Sequence, residues 1–599
     1  MALVLVAIIV AAAGLRLPDL DRAGFSGDED LTHFAVTGIA HHGLPLLPSG
    51  IVYHRGLPYS YLAWASGVLF GQTLVVYRVV SFFWSVLTVW LVSRLAARIS
   101  GSASIAAAVF VAVSPLHIVL AGWARFHSMF VATYVIALWL FLDLIAAGRG
   151  ARRWLAAVAV TRLLHESAVT LAVLPLACWL LTPDRSDGRA RATRLFAATV
   201  AVLGIVHVGL YVFRAASSAG GSVVSRDVSE YSALLVPTPV IFPFTALRAP
   251  AAIVPLAIAC AILCVLLIRR RIDLFACAVA ACGALLQVGL AVSAYLAAAV
   301  AAPPRALARG LMTAGAIAGG IVFWTGYLMA TRRIALSGEL VTSVARYASA
   351  FHGGGVYVLA AWPFTVIATV AGLWSLRRRV SPADLDARLL LLLAVGWVFA
   401  FGLVNTTIEP RYVTILWTLL AIVAAAACAP LRGLRDVLMV VIAVATTREQ
   451  VASMLGEPVL ATPIGWQMLA APRVRTLDPA TVADVGREIT AGDRVVCTDE
   501  IACIALFGRA DYWLLESRED IRLFTQQTAR GRRGLYGGVP VIESLEAVRD
   551  VASGARTWIV LADAGRASPP SVSDVVRVLG SAATRVETDN LSVVVIDRR

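Results

Sequence analysis

Repeated apolar runs of roughly 18–25 residues dominate this chain, and each is long enough to cross the hydrocarbon core of a bilayer as a helix. Of its 599 residues, 59% are hydrophobic and only 15% are charged, far more apolar surface than a soluble globular protein of this length needs. Inside lipid, backbone N–H and C=O groups must bond within their own segment, so the runs are expected to be helices. A membrane barrel would alternate apolar and polar residues in segments of about 10, and no such alternation appears. The fold class read from the sequence is therefore a polytopic α-helical membrane protein.

The net charge of +14 does not point to nucleic acid, because the basic residues, all of them Arg, cluster in short loops between apolar runs. Arg94 and Arg98 follow the run 75–93; Arg149, Arg152 and Arg153 follow 126–147; Arg185, Arg189, Arg191 and Arg194 follow 167–182. Positive clusters mark cytoplasmic ends, which puts the N-terminus inside. The first run, Met1 to Leu17, lacks a basic start and a small-residue cleavage site, so it reads as an uncleaved span. Three polar corners then share the outer face. They are the loop beginning Gly27-Asp28-Glu29-Asp30, the corner Arg125-Phe126-His127 between the third and fourth spans, and the corner His165-Glu166 between the fifth and sixth.

Runs near 196–213, 248–268, 272–302, 311–330 and 354–376 continue the series. Arg269–Arg271 and Arg377–Arg379 both read as cytoplasmic, which the intervening runs miss by one crossing. Either 272–302 is a broken pair of short helices or 334–352 is not a simple loop. Spans at 387–404, 412–428 and 436–447 leave the C-terminal tail outside, for a total of about 13 spans. Residues 1–447 are thus one membrane domain, with an outer loop at 18–74. From 448 to 599 charges become frequent and apolar runs shorten. Arg494–Cys497, Thr557–Leu561 and Ser592–Ile596 read as buried strands; Ala480–Ile489, Ser544–Ala552 and Val572–Leu579 have helical spacing. That alternation indicates an α/β domain, here extracytoplasmic. No Gly-rich phosphate loop opens its helices, so no nucleotide is assigned. Cys497 and Cys503 fit no zinc spacing; free thiols are expected, a disulfide outside the cytoplasm being the alternative.

Residues 18–60 carry the densest chemistry: three adjacent carboxylates and four of the nine histidines, His33, His41, His42 and His54. Carboxylates beside a bilayer are costly and are kept for handling a proton or a cation. Asp28 or Glu29 could act as a general base toward a hydroxyl, or hold a divalent cation. The bland reading is that Ser26, Asp28 or Asp30 caps a short interfacial helix. Tyr53-His54-Arg55-Gly56-Leu57-Pro58-Tyr59 leads into an amphiphilic stretch that suits an anion site at a Pro-started helix, or headgroup anchoring. Glu409-Pro410-Arg411-Tyr412 sets a charge pair and an aromatic at the mouth of a late span. Taken together, His54, Arg55, Arg125, His165, Glu166, Arg411 and Tyr412 lie on the face that holds the carboxylates. Cations beside carboxylates on an outer membrane face suit a phosphate-bearing lipid.

With these segments in hand, the chain resembles the GT-C glycosyltransferases, nearest the protein O-mannosyltransferases and the bacterial aminoarabinose transferases of lipid A. The likeness is carried by Gly27–Phe34, by His54–Tyr59 through Gly71, by Tyr77–Ser81 running to Arg98, by Ala124–His127, and by Glu409–Tyr412. It covers residues 1–182, and 380–430 more loosely. The resemblance implies transfer of a sugar from a polyprenyl-phosphate donor to a glycan, lipid or protein acceptor outside the cytoplasm, in a bacterial inner membrane. It implies Asp28 as base, with Glu29 its neighbour, and an inverting displacement. Relatives often carry an acidic residue where His127 stands, and some that bind a metal have Glu where His54 stands; no metal ligand set is assigned, and a divalent cation stays open. The competing reading, a transporter or flippase of lipid-linked sugars, should show internal repeats and mid-membrane polar residues, and neither is evident. A sensor or scaffold working through the C-terminal domain should carry its unusual residues after 448, yet they come earlier.

Overall fold

Pro115 decides how the third apolar run folds. Proline has no N–H to give the carbonyl four residues back, so a continuous helix fails there. The run divides into α5 (Ala103–Ala112) and α6 (Pro115–Ala121). The carbonyls left at the break, Val111 and Ala112, accept bonds from the buried guanidinium of Arg16, which also donates to Ser85 Oγ (2.9 Å). Arg16 is the last residue of α1 (Ala2–Arg16), so the first helix is pinned to the gap in the third.

The computed structural model describes residues 2–20, 27–181, 187–217, several positions between 385 and 397, 414–427 and most of 479–596. Around α5 and α6 lie α2 (Gly27–His42), α3 (Leu57–Phe70), α4 (Leu74–Ile99), α7 (His127–Ala147), α8 (Ala151–Leu164), a 3-10 turn at Glu166–Ala172, α9 (Val173–Leu181) and α10 (Asp187–Ser217). Among the described residues, α4, α7 and the 188–213 part of α10 are long and apolar enough to cross a membrane. Later segments close on this core. Trp397 Nε1 donates to Tyr134 Oη (2.9 Å), and in α11 (Thr414–Ala427) Thr418 Oγ1 lies 3.1 Å from His117 Nε2. At the far end of α4, Arg98 bridges Asp143 and Asp386. The runs expected at 248–268, 272–302, 311–330, 354–376 and 436–447 lie outside the described residues.

One expectation changes at the acidic segment. It is not a loop: α2 begins at Gly27, so Asp28, Glu29 and Asp30 form its first turn, where the helix dipole favours negative charge. Gly38 lets α2 press against the returning chain, since a Cβ there would sit 2.4 Å from the backbone of Leu46. The run expected to start a span at 167 instead opens as the 3-10 turn before α9.

In the C-terminal part, α12 (Pro479–Glu488), α13 (Glu500–Phe507), α14 (Leu545–Ala552) and α15 (Val572–Leu579) cover a six-stranded sheet. Its strands are β1 (Arg494–Cys497), β2 (Tyr512–Leu514), β5 (Val541–Ile542), β6 (Thr557–Ala562), β7 (Ala583–Glu587) and β8 (Leu591–Ile596), in the order β5-β2-β1-β6-β8-β7. The first four run parallel; β7 and β8 are antiparallel additions. The period of two sends Val495, Cys497, Trp558, Val560, Val593 and Val595 to one face, under α12 and α13. Val496, Ile559, Leu561 and Val594 go to the other, under α14 and α15. A separate hairpin pairs β3 (Thr525–Thr528) with β4 (Gly531–Gly534). Against the expectation of free thiols, Cys497 and Cys503 form a disulfide. The end of β1 turns directly into α13, which brings the two Cα atoms to 6.4 Å, a distance a disulfide spans readily.

Glu500, at the start of α13, is buried in a cradle of glycines: a Cβ on Gly534 or Gly537 would overlap its carboxylate. It accepts from Gly537 N (2.8 Å) and Val539 N (3.3 Å). Burial outweighs those bonds and pushes its carboxyl up to about 7. The folded state therefore holds this proton more tightly than the unfolded chain does. The stability it contributes is full below the ordinary carboxylate range and is lost as pH rises toward about 7. The thermal midpoint of the full chain in detergent should fall between about pH 5 and about pH 8, and Glu500→Gln should flatten that fall. Parallel profiles for the two proteins would remove Glu500 as the cause.

Candidate functional site

An Arg within an apolar helix must find an acid or remain a buried charge. Arg78, in the first turns of α4, finds Glu29: Nε meets Oε1 and Nη2 meets Oε2, both at 2.9 Å. Both side chains are sealed, at 2% and 1% exposure, so this is a bidentate pair without solvent screening. Glu29 Oε1 also accepts from Ala124 N (2.7 Å), and Arg78 Nη1 donates to the Leu20 carbonyl (3.3 Å). One ion pair thereby joins the 3-10 turn that follows α1, the first turn of α2, α4 and the corner before α7.

That corner continues into the next contact. Arg125 is buried; its Nη1 donates to Tyr53 Oη (2.5 Å), and its guanidinium lies 5.6 Å from the Tyr53 ring centroid and 5.2 Å from that of Phe126. Its carbonyl accepts from Ser81 Oγ (3.0 Å), which in turn bonds Tyr59 Oη (2.8 Å) on α3. The segment 53–56 is held from the other side as well. Gly56 N donates to the Leu164 carbonyl (3.1 Å), and Gly56 has the positive φ of 65° that lets α3 start with Pro58 in its first turn. A side chain at 56 would strike Phe126, with its Cβ at 2.4 Å.

The third corner completes the group. Arg55 Nε lies 3.8 Å from Glu166 Oε1, and both are accessible, at 54% and 35%. An ion pair this exposed is worth about 1 kcal/mol at most, so both groups can exchange partners for a charged ligand. His165 ends α8, accepts from Ser167 N at Nδ1 (3.1 Å), and stacks obliquely near Phe130 (5.0 Å), Phe126 (5.7 Å) and His127 (6.3 Å). His54 is half-buried in the same segment as Arg55. Burial holds His33, four residues after Glu29 on α2, below its usual pKa.

Of the residues singled out in the sequence, Glu29, His54, Arg55, Arg125, His165 and Glu166 therefore lie on segments that touch one another. Asp28 stands in the same first turn of α2 as Glu29. Arg411 and Tyr412 lie outside the described residues. Tyr53, Arg78 and Ser81 stood in segments singled out in the sequence but were not assigned to the site. Arg78 had the further signal of a lone charge inside an apolar run; Tyr53 and Ser81 had only their place in those segments. Among the described residues, no cluster of three or more His, Cys, Asp or Glu has the grouping of a metal site.

Residues 54–211 match the family model of dolichyl-phosphate-mannose-protein mannosyltransferases. Over this stretch the chain resembles the glycosyltransferases of the GT-C type. Two crystal structures of ArnT from Cupriavidus metallidurans are similar at 14% identity, over 98% of this chain and 97% of theirs. The TM-score is 0.44 for the protein bound to undecaprenyl phosphate and 0.42 for its apo state. No curated protein sequence matches.

Breaking the ion pair from one side should be costly. Arg78→Ala should lower stability by about 3–5 kcal/mol, because it leaves the Glu29 charge buried. Replacing both partners with apolar residues, Glu29→Leu with Arg78→Met, should recover more than half of the lost thermal midpoint in detergent. A double variant no more stable than Arg78→Ala would show that the loss arises elsewhere.

Proposed function

We propose that the protein is a membrane glycosyltransferase that moves a sugar from a polyprenyl-phosphate donor to an acceptor outside the cytoplasm, a glycan, lipid or protein, in a bacterial inner membrane. The observation that carries the reading is the meeting of Arg55, Arg125, His165 and Glu166 beside the carboxylate turn of α2. The family match over residues 54–211 supports the class of reaction. The Cys497–Cys503 disulfide supports an oxidising compartment for the C-terminal domain, and hence the outer side for the α2 end of the helices that it contacts.

The chemistry follows from the residue types. Asp28 takes the proton of the acceptor hydroxyl as its oxygen attacks the anomeric carbon. The bond from that carbon to the phosphate oxygen breaks, and the electron pair leaves with the lipid phosphate. Arg55, Arg125 and Arg411 stabilise the charge that develops there, with His54, His165 and Tyr412 lining the same site. A single displacement inverts the anomeric centre. Glu29, already neutralised by Arg78, is a positioning group, and Asp28 is the base that the family resemblance implies.

Purified enzyme incubated with radiolabelled polyprenyl-phosphate sugars tests the reading directly. Asp28→Asn should cut transfer by about a hundredfold or more while the protein still inserts in membranes; retained transfer would exclude Asp28 as base. Arg411→Ala should raise the donor KM more than the acceptor KM. An unchanged donor KM would take Arg411 out of the phosphate site.

A further inference from the structure

Directly after its carboxylate turn, α2 carries Leu31, Phe34 and Ala35 on one face, the i, i+3, i+4 spacing of a buried stripe. Among the described residues, no other span covers that stripe. It joins Leu47, Tyr53 and Ile501 in one buried cluster, with Ile504, Ala505 and Tyr536 packed against it. Three of these six, Ile501, Ile504 and Ala505, belong to α13 of the C-terminal domain. A second seam runs beside the first. Ser49 N donates to the Tyr536 carbonyl (3.0 Å), Ile51 packs with Leu535, and Gly538 approaches so closely that a Cβ there would lie 3.1 Å from Ser49 Cα.

The parts that touch α2 are themselves rigidly held. The opposite side of α13 (Ala502, Cys503, Leu506 and Phe507) lies in the core beneath the sheet. The disulfide ties its second half-turn to the end of β1, and Asp499 caps its first turn by accepting from Ile501 N and Ala502 N. Glu500 fastens the 537–539 loop to the same helix. On its other side α2 is fixed by the Glu29–Arg78 pair. The carboxylate turn is therefore clamped between a membrane helix and the C-terminal domain.

We propose that the C-terminal domain sets the position of the α2 carboxylate turn, with Ile501 as a positioning residue for the chemistry at Asp28. The proposal rests on the glycosyltransferase reading for its kinetic consequence, and on packing alone for its structural one.

Hydrogen exchange and steady-state kinetics on the full-length protein test both. Ile501→Ala should quicken amide exchange in residues 31–42 and cut kcat about tenfold, because small misplacements of a reacting group are costly. The donor KM should stay within about twofold, and Ile501→Val should restore most of kcat. Exchange that quickens only within 494–516, with kcat unchanged, would overturn the proposal. So would faster exchange in α2 with kcat unchanged. If the Ala variant fails to fold, seen as loss of its cooperative thermal transition, Ile501→Val is read by the same two measurements with smaller shifts. Wild-type protein that consumes no polyprenyl-phosphate sugar would refute the glycosyltransferase reading instead, and exchange in α2 would still decide whether α13 holds that helix.

Discussion

The Glu29–Arg78 pair is the contact on which the arrangement of the outer end depends. Two opposite charges withdrawn from water must meet in good geometry, since each alone would cost several kcal/mol. That requirement is directional in a way that apolar packing between membrane helices is not. Apolar helices in lipid can slide or rotate at little cost, because lipid tails are as apolar as the neighbouring helix. A bidentate fork on a carboxylate permits one rotation of α2 and one of α4. The third bond to Glu29, from Ala124 N, extends the same constraint to the corner that carries Arg125 and His127.

The same physics recurs at the break between α5 and α6. Proline removes a donor, two carbonyls need partners, and Arg16 supplies them from another helix. In both places a polar group too costly to leave alone selects which helices become neighbours. In both the cation is Arg, whose planar fork can satisfy several acceptors at once. Arg16 meets four, and Arg78 meets two oxygens of one carboxylate and a carbonyl.

Much of this was legible in the sequence, and what was not has physical causes. The apolar runs at 75–93 and 126–147 became α4 and α7 because a long stretch without charge has few alternatives in lipid. Strands β1, β6 and β8 were readable because central strands buried on both faces are continuously apolar. The short strands β2 and β5, and the polar hairpin of β3 and β4, carry no such signal; Thr525–Thr528 and Gly531–Gly534 contain no apolar side chain beyond the threonine methyls. The convergence of the Asp28, Arg125 and His165 segments followed from counting crossings. Their individual contacts did not, because a pairing such as Arg55 with Glu166 spans a sequence distance on which local pattern is silent. The disulfide was misjudged for the same reason: six residues of spacing say little until the turn from β1 into α13 is known.

The contact between α2 and α13 bears on what the separate α/β domain does for the membrane bundle. The helix α2 is packed on two faces: Val36 lies in the core of the membrane bundle, and Leu31, Phe34 and Ala35 lie against the C-terminal domain. On the bundle side the Glu29–Arg78 pair and the bond from Ala124 N hold the first turn. A second contact on a different face, less than two turns away at Leu31, Phe34 and Ala35, holds the helix from the other side. Because α13 belongs to a sheet-backed and disulfide-tied body, the restraint is stiff where a loop would be compliant. On the proposal above, the carboxylate turn thus gains a second restraint from a part of the chain more than 450 residues away.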